Sequence, residues 1–298
     1  MLPLGSDHVA ELLTRCTFPP AGSSVTCAVS GGADSTALLA LAVAAGCDVT
    51  AVHVDHGLRP GSADEAEVVR ATSERLGARF RAVTVHVGHG PNLEARARDA
   101  RYAALPPDVL TGHTADDQAE TMLANLLRGA GSTGLGAMRP GHRRPLLALR
   151  RSETQALCSE LGLQVVHDPT NDLPDHLRNR VRHEVLPLLA DISRRDPVPV
   201  LVRQADLLRS ESDLLDDLAA GIDPTDARAL AAADPVLARR AVRRWLTTEH
   251  PPDAATVERV LDVARGTAVA TDAGGGRRVE RSHQTLRLRP SGTEAPSE

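Results

Sequence analysis

Ser24-Val25-Thr26-Cys27-Ala28-Val29-Ser30-Gly31-Gly32-Ala33-Asp34-Ser35 is the stretch on which the fold turns. Ser24–Ser30 is a short β-type run that stops at Gly31-Gly32. Asp34–Ala45 follows as an Ala- and Leu-rich helix closed by Gly46. Strand, glycine turn and helix make one βα unit, and the rhythm repeats outward along the chain. Asp48–Val54 reads as a strand, Ser62–Leu76 as a helix with Ser62 as N-cap and Gly77 as C-cap, and Arg79–Val87 as a strand. Leu93–Leu105 reads as a helix stopped by Pro106-Pro107, Val109–Gly112 as a short strand and Ala115–Arg128 as a helix. This alternation predicts an α/β fold, a doubly wound parallel sheet whose ligands bind beyond the carboxyl ends of its strands.

Gly129–Arg144 is rich in Gly, Pro and Arg and reads as a loop. Ser152–Leu161 reads as a helix, Gln164–His167 as a strand, and His176–Leu189 as a helix interrupted at Pro187. Asp191–Pro199 is polar and proline-bearing, and it is the expected domain boundary. Residues 1–190 then form the larger domain. Residues 200–290 form a smaller, mostly helical one, with helices over Val200–Leu218, Pro235–Thr248 and Thr256–Ala264. Strand-like alternation runs from Thr267 to Arg289 around Gly274-Gly275-Gly276. The 298 residues leave room for two such domains with substantial cores.

Composition narrows the function classes. Phe18, Phe80, Tyr102 and Trp245 are the whole aromatic set, so nucleic-acid binding could not rest on stacking platforms and would use arginine and phosphate contacts. All 34 basic residues are arginine, while the net charge of −5 excludes a uniformly basic surface. Cys16, Cys27, Cys47 and Cys158 stand far apart with no C-x-x-C pair, against a zinc knuckle, a cysteine-held cluster or a disulfide scaffold. No signal peptide and no membrane span is read, so a soluble cytoplasmic protein is expected.

Ser30-Gly31-Gly32-Ala33-Asp34-Ser35 has the chemistry of an anion site. Glycines admit close backbone approach, helix-start N–H groups bind anions, and Asp34 suits a phosphate that carries Mg²⁺. The spacing fits neither G-x-x-x-x-G-K-[ST] nor G-x-G-x-x-G. His53-Val54-Asp55-His56-Gly57-Leu58-Arg59 follows the second strand, where its histidines are either site residues or a satisfied loop pair. Glu94, Arg98 and Arg101 share one helix face, as an ion-pair stripe or as guanidiniums aimed at nucleotide phosphates. Thr111-Gly112-His113-x-x-Asp116-Asp117-Gln118-x-Glu120-Thr121 sets a histidine beside carboxylates at a helix start, able to hold Mg²⁺ or serve an amine. Residues 139–151 carry five arginines (Arg139, Arg143, Arg144, Arg150 and Arg151) and no acid, either a solvated face or an RNA-backbone contact. Asp168-Pro169-Thr170-Asn171 and Arg178-Asn179-x-x-Arg182 follow. Arg239-Arg240 and Arg243-Arg244 near Trp245 would grip RNA or solvate a helix.

Taken together and in order, these motifs over residues 24–190 resemble the tRNA(Ile)-lysidine synthase family of PP-loop ATP pyrophosphatases. The resemblance implies an adenine-nucleotide-alpha-hydrolase-like catalytic domain that uses ATP and Mg²⁺. It implies adenylation of C2 of the wobble cytidine in an isoleucine tRNA with a CAU anticodon, then displacement of AMP by free L-lysine. Ser30, Gly31, Gly32, Ala33, Asp34, Ser35, His53 and Arg101 would bind ATP, and Asp34 and Asp117 would hold Mg²⁺. Asp34, Arg98, His113, Asp117 and Arg178 would be catalytic, while Asp116, Asp117 and Glu120 offer an acidic partner for lysine. Arg139, Arg143, Arg144, Arg150, Arg151 and Arg182 would contact RNA. A homodimer is compatible with this reading. A cytidine thiolase or an amidotransferase would need paired cysteines or a glutaminase nucleophile, and neither is read. A silent nucleotide- or RNA-binding protein on the same scaffold would have lost Asp34, Arg98 or Asp117.

Overall fold

The computed structural model describes residues 4–55, 62–85, 93–166 and 177–291, with the side chains of 62–64, 93–95, 97 and 98 left aside. Within it the chain forms two compact units, residues 1–207 and 208–298.

In the first unit β1 (Ser24–Ala28), β2 (Asp48–Asp55) and β3 (Arg79–Thr84) form a parallel sheet in that order, with Cys27 beside Ala51 and Ala51 beside Phe80. The segment read as a fourth strand, Val109–Gly112, makes only one bridge, Leu110 beside Cys27. Leu110 N donates to Thr26 O at 2.8 Å and Ala28 N to Leu110 O at 2.9 Å. Thr111 N then turns away to Arg143 O, so the ladder stops there. Gln164–Val166 is not a strand, although Val166 N donates to Gly31 O at 2.9 Å; His167 lies outside the described residues.

Side-chain alternation along β2 divides the core. Val49 and Ala51 join the large cluster with Val9, Leu38, Leu41, Leu146, Leu149 and Leu157, whereas Val52 and Val54 pack with Leu105 and Val109. The sheet is thus covered on both faces, as expected for parallel strands. Of the covering helices, α1 (Asp7–Thr14) was not legible in the sequence, and α2 (Ala33–Ala44) is buried at every position from Ser35 to Ala42. A helix buried all round needs apolar residues all round, which the run Ala37–Ala42 supplies. The unit's other helices are α3 (Ser62–Leu76), α4 (Leu93–Ala103), α5 (Ala115–Leu127), the one-turn α6 (Ser132–Leu135) and α7 (Arg151–Glu160). α7 lies against α2.

The helix expected to break at Pro187 continues through it. α8 (Leu177–Arg180) passes through a π turn (Val181–Val185) into α9 (Leu186–Ser193). Leu186 N reaches back to Val181 O. The wide turn sits where Pro187, lacking an N–H and crowding the carbonyl behind it, would otherwise break a tight helix. The segment read as a linker, Asp191–Pro199, is therefore helical at both ends, and α10 (Val198–Ala220) starts within it.

In the second unit α11 (Ala227–Ala232), α12 (Pro235–Leu246) and α13 (Ala254–Arg265) start at the caps Asp226, Asp234 and Asp253, whose side chains accept from first-turn N–H groups. They bury Leu230, Val242, Leu246, Val260 and Leu261 against an antiparallel sheet of β4 (Ala270–Gly274), β5 (Arg277–Ser282) and β6 (Thr285–Pro290). Gly274, Gly275 and Gly276 all have positive φ, which is why the β4–β5 turn falls there.

Leu157→Ala on α7 leaves a void where a fully buried side chain locks α7 into the main core. Urea unfolding should show a loss of about 3 kcal/mol.

Candidate active site

The site grows from the end of β1. Gly32 is the N-cap of α2 and brings no side-chain cap of its own. Ser35 Oγ lies 3.1 Å from Ser30 Oγ, accepts from Ser30 N at 3.2 Å and donates to Gly32 O at 2.9 Å, so the loop is folded over itself at the helix start. Gly31 has φ +94°, and an added Cβ would stand 2.8 Å from Val166 Cγ2. At Gly112 the constraint is backbone on backbone. A Cβ there would lie 2.6 Å from Asp34 O and 3.0 Å from Ser35 N. That close approach brings the Thr111–Thr121 motif onto the loop.

Asp34, Asp117 and Glu120 gather here from two motifs, and their common partner is Arg151. Its Nε donates to Asp34 Oδ2 at 3.2 Å, Nη1 to Glu120 Oε1 at 3.0 Å and Nη2 to Asp117 Oδ1 at 3.1 Å. Arg178 adds Nε to Glu120 Oε2 at 2.9 Å and Nη2 to Asp117 Oδ1 at 3.0 Å. Arg182 Nε reaches Glu120 Oε1 at 2.7 Å and its Nη2 reaches Oε2 at 3.1 Å. Three carboxylates therefore face three guanidiniums around Glu120, whose side chain is 0% exposed.

Beside this cluster Arg150 grips Asp116 with both Nε (3.0 Å) and Nη2 (3.1 Å) and also pairs with Asp196. The Arg151 N–H donates to Asp116 Oδ2 at 2.8 Å. Thr114 opens α5 as half of a capping box, its N–H donating to Asp117 Oδ2 at 2.8 Å.

The environment separates the carboxyls. Burial raises Asp34 above its ordinary value, the Asp117 charge pushes the same way, and Thr154 and Arg151 only partly offset them. Burial also pushes Asp117 up, but the charges of Arg151, Arg178 and His113 outweigh it and hold it below the usual range. Glu120 follows the same pattern: burial pushes up, and the Arg182 hydrogen bond with the charges of Arg151 and Arg182 brings it below the ordinary 4.5.

Other residues singled out in the sequence fall as follows. His113 Nδ1 sits 2.8 Å from Thr111 Oγ1 at the rim of the same motif. His53 is buried with Nδ1 2.9 Å from Val29 O, at the strand end behind the loop. Arg101 lies exposed on α4. The Arg98 and Glu94 side chains, Asn92, His56-Gly57-Leu58-Arg59 and Asp168-Pro169-Thr170-Asn171 lie outside the described residues.

The arginine run divides. Arg139 and Arg143 are exposed and Arg144 is half-buried on the loop, which Gln118 clips by its amide to both N–H and C=O of Met138. Arg150, Arg151 and Arg182, read as RNA contacts, instead turn toward the carboxylates. The roles of Arg151 and of Thr154, which donates to Asp34 Oδ1, were missed. In α12, Arg239 pairs with Glu258 and Arg240 with Asp216.

Two outcomes test this geometry. Glu120→Gln leaves three guanidiniums around a neutral amide and should cost about 3 kcal/mol at pH 7 in urea melts. Because the folded pKa of Glu120 is depressed, its contribution is complete above about pH 4.5 and is lost as the pH falls through the folded value. The gap from wild type should therefore narrow on acidification toward pH 3, and a gap independent of pH would refute the charge account. Gly112→Ala should lose about 1–3 kcal/mol through displaced backbone, read by thermal melting.

A PP-loop domain family model matches residues 6–189, and the TilS substrate binding domain matches residues 226–287. The tRNA(Ile)-lysidine synthase of Nocardia farcinica is 46% identical over 245 residues, 77% of each chain. That of Mycobacterium tuberculosis strain H37Rv is 44% identical over 237 residues, 73% of each. Among solved structures, the U34-tRNA thiolase NcsA from Methanococcus maripaludis superposes with a TM-score of 0.55 at 17% identity, covering 70% of this chain and 80% of that one, a likeness of fold. A PP-loop match over more than half the chain, and a 46% identical relative covering 77% of it, establish that the chain belongs to the tRNA(Ile)-lysidine synthase family.

Proposed function

We propose that this enzyme uses ATP to join free L-lysine to C2 of the wobble cytidine in an isoleucine tRNA with a CAU anticodon. The observation that carries the reading is the convergence of Asp34, from the PP-loop, with Asp117 and Glu120 on one guanidinium at the carboxyl end of the sheet. The C2 oxygen of cytidine attacks the α-phosphorus of ATP and pyrophosphate leaves. A lysine amine then forms the C2–N bond and loses a proton, and AMP departs with the oxygen.

The loop N–H groups and the hydroxyls of Ser30 and Ser35 bind the departing pyrophosphate. Arg178, anchored by Asp117 and Glu120, stands by the reacting groups as a preoriented cation. His113, whose Nδ1 is engaged by Thr111, would take up or relay the amine proton.

Asp34 and Asp117 fit a magnesium ion. Both already aim an oxygen at one cation, and one or two carboxylates plus phosphate oxygens are the donors that Mg²⁺ takes. Bound there, the ion would neutralise charge on the pyrophosphate.

A cavity of about 230 Å³ opens beside the cluster, lined by Asp116, Glu120, Arg182, Leu186, Ala190 and Val198 among others. Its acids suit an ammonium, its arginines a carboxylate and its apolar wall an aliphatic stem, which together describe lysine. The exposed Arg139 and Arg143 on the clipped loop would meet RNA phosphates. No helix among the described residues is long and apolar enough to cross a membrane, and a cytoplasmic setting supplies all three substrates.

Sulfur transfer is disfavoured by the thiols themselves. Burial pushes Cys16, Cys27 and Cys158 up to about 12, far from thiolate reactivity.

The test is pyrophosphate release from MgATP and an unmodified isoleucine tRNA with a cytidine wobble base, with and without lysine, the tRNA being weighed by mass spectrometry. Lysine-dependent addition of one lysine less water is expected, and Asp34→Ala should abolish it. Pyrophosphate release with no lysine in the product would move the substrate elsewhere.

A further inference from the structure

Asp34 is held from behind by α7, of which only the first residue, Arg151, belongs to a motif quoted above. Thr154, fully buried in the first turn of α7, donates its hydroxyl to Asp34 Oδ1. The same Oγ lies 2.8 Å from the Arg151 carbonyl, a second acceptor. A hydroxyl carries one proton, so it serves one of the two at a time. The carboxylate is the stronger acceptor because the bond is charge-assisted. The carbonyl gives the hydroxyl somewhere to go, so Asp34 can be released without stranding a buried donor.

The support beneath Thr154 is stiff. Leu157 is fully buried, and Cys158 Sγ meets the Ala33 carbonyl at 3.4 Å, tying α7 to the first turn of α2. The other Asp34 oxygen is held by Arg151 Nε. Both restraints on Asp34 thus come from one turn of one helix.

We propose that Thr154 is a positioning residue for Asp34: a two-position catch that aims the carboxylate at magnesium-bound pyrophosphate and lets it turn when that ligand arrives. The proposal rests on the reading of Asp34 as a magnesium-holding residue.

Thr154→Val removes the hydroxyl at nearly constant shape, and Thr154→Ser keeps it. The probe is ATP with titrated Mg²⁺ in calorimetry, without tRNA or lysine, and ATP in EDTA as the control. The valine variant should need about 10-fold more Mg²⁺ for half-maximal ATP binding, the scale of an outer-shell substitution. Its metal-free ATP binding should be unchanged, and the serine variant should match wild type. In turnover, KM for MgATP should rise more than kcat falls. Thr154→Ala gives the same comparison where valine disturbs packing. A valine or alanine variant that melts earlier yet keeps the wild-type Mg²⁺ dependence would overturn the proposal, marking Thr154 as packing alone. Wild-type protein whose ATP binding ignores Mg²⁺ would overturn both this proposal and the reading beneath it.

Discussion

Everything at this site depends on a single buried contact set, the Arg151 guanidinium between Asp34, Asp117 and Glu120. Burying charge is costly unless it is paired and hydrogen-bonded. Here each charge is met, but only because α2, α5, α7 and the α8 to π-turn segment arrive together. Gly112 is the geometric condition. Only a residue without Cβ lets the loop before α5 lie against the Asp34 backbone. Asp116 supplies the second condition, since it accepts from both the Arg150 side chain and the Arg151 N–H and so fixes where α7 begins.

The same balance decides what the site can receive. Three cations against three anions leave little net field, and every guanidinium is already oriented. An arriving polyanion such as ATP need not order flexible side chains; it competes for donors that are in place. The carboxylates it releases would then be open to the magnesium ion and the ammonium proposed above. Arg178 and Arg182 both reach Glu120 from a helix that widens into a π turn between α8 and α9, and such turns recur where a helix serves a site. Pro187 makes the widening a consequence of the sequence.

How much of this was legible depended on sequence distance. The β1–loop–α2 unit is local, and its strand, glycines and apolar helix could be read directly. The β4–β6 sheet was legible for the same reason, from its glycine turn and alternation. Val109–Gly112 misled because its length says nothing of partners, and Thr111 finds Arg143 instead of a neighbouring strand. The arginine run misled more deeply. Arg150 and Arg151 read as solvated or RNA-facing, yet Arg151's acids lie 31, 34 and 117 positions away. No spacing rule connects such residues; only the arrival of α7 beside both α2 and α5 does. His53 reads either way from the sequence, because its contact with Val29 O joins residues 24 positions apart.

The likeness of fold to a U34-tRNA thiolase sharpens what separates reactions on this scaffold. A PP-loop activates an oxygen by adenylation whatever follows, so the second nucleophile decides the product. A sulfur route that ran through the protein's own thiols would need them accessible, whereas Cys27, Cys47 and Cys158 are buried and Cys16 is half-buried, with no disulfide. An amine route needs carboxylates that can meet an ammonium and a wall for its carbon stem. The cavity beside Glu120 is lined by acids, by arginines tied to them and by Leu186, Ala190 and Val198, the set that the proposed amine route would use. On the proposed reading, Arg150 and Arg182 would exchange part of their pairing with Asp116 and Glu120 for the carboxylate of the amino acid, an exchange that a simple amine cannot offer.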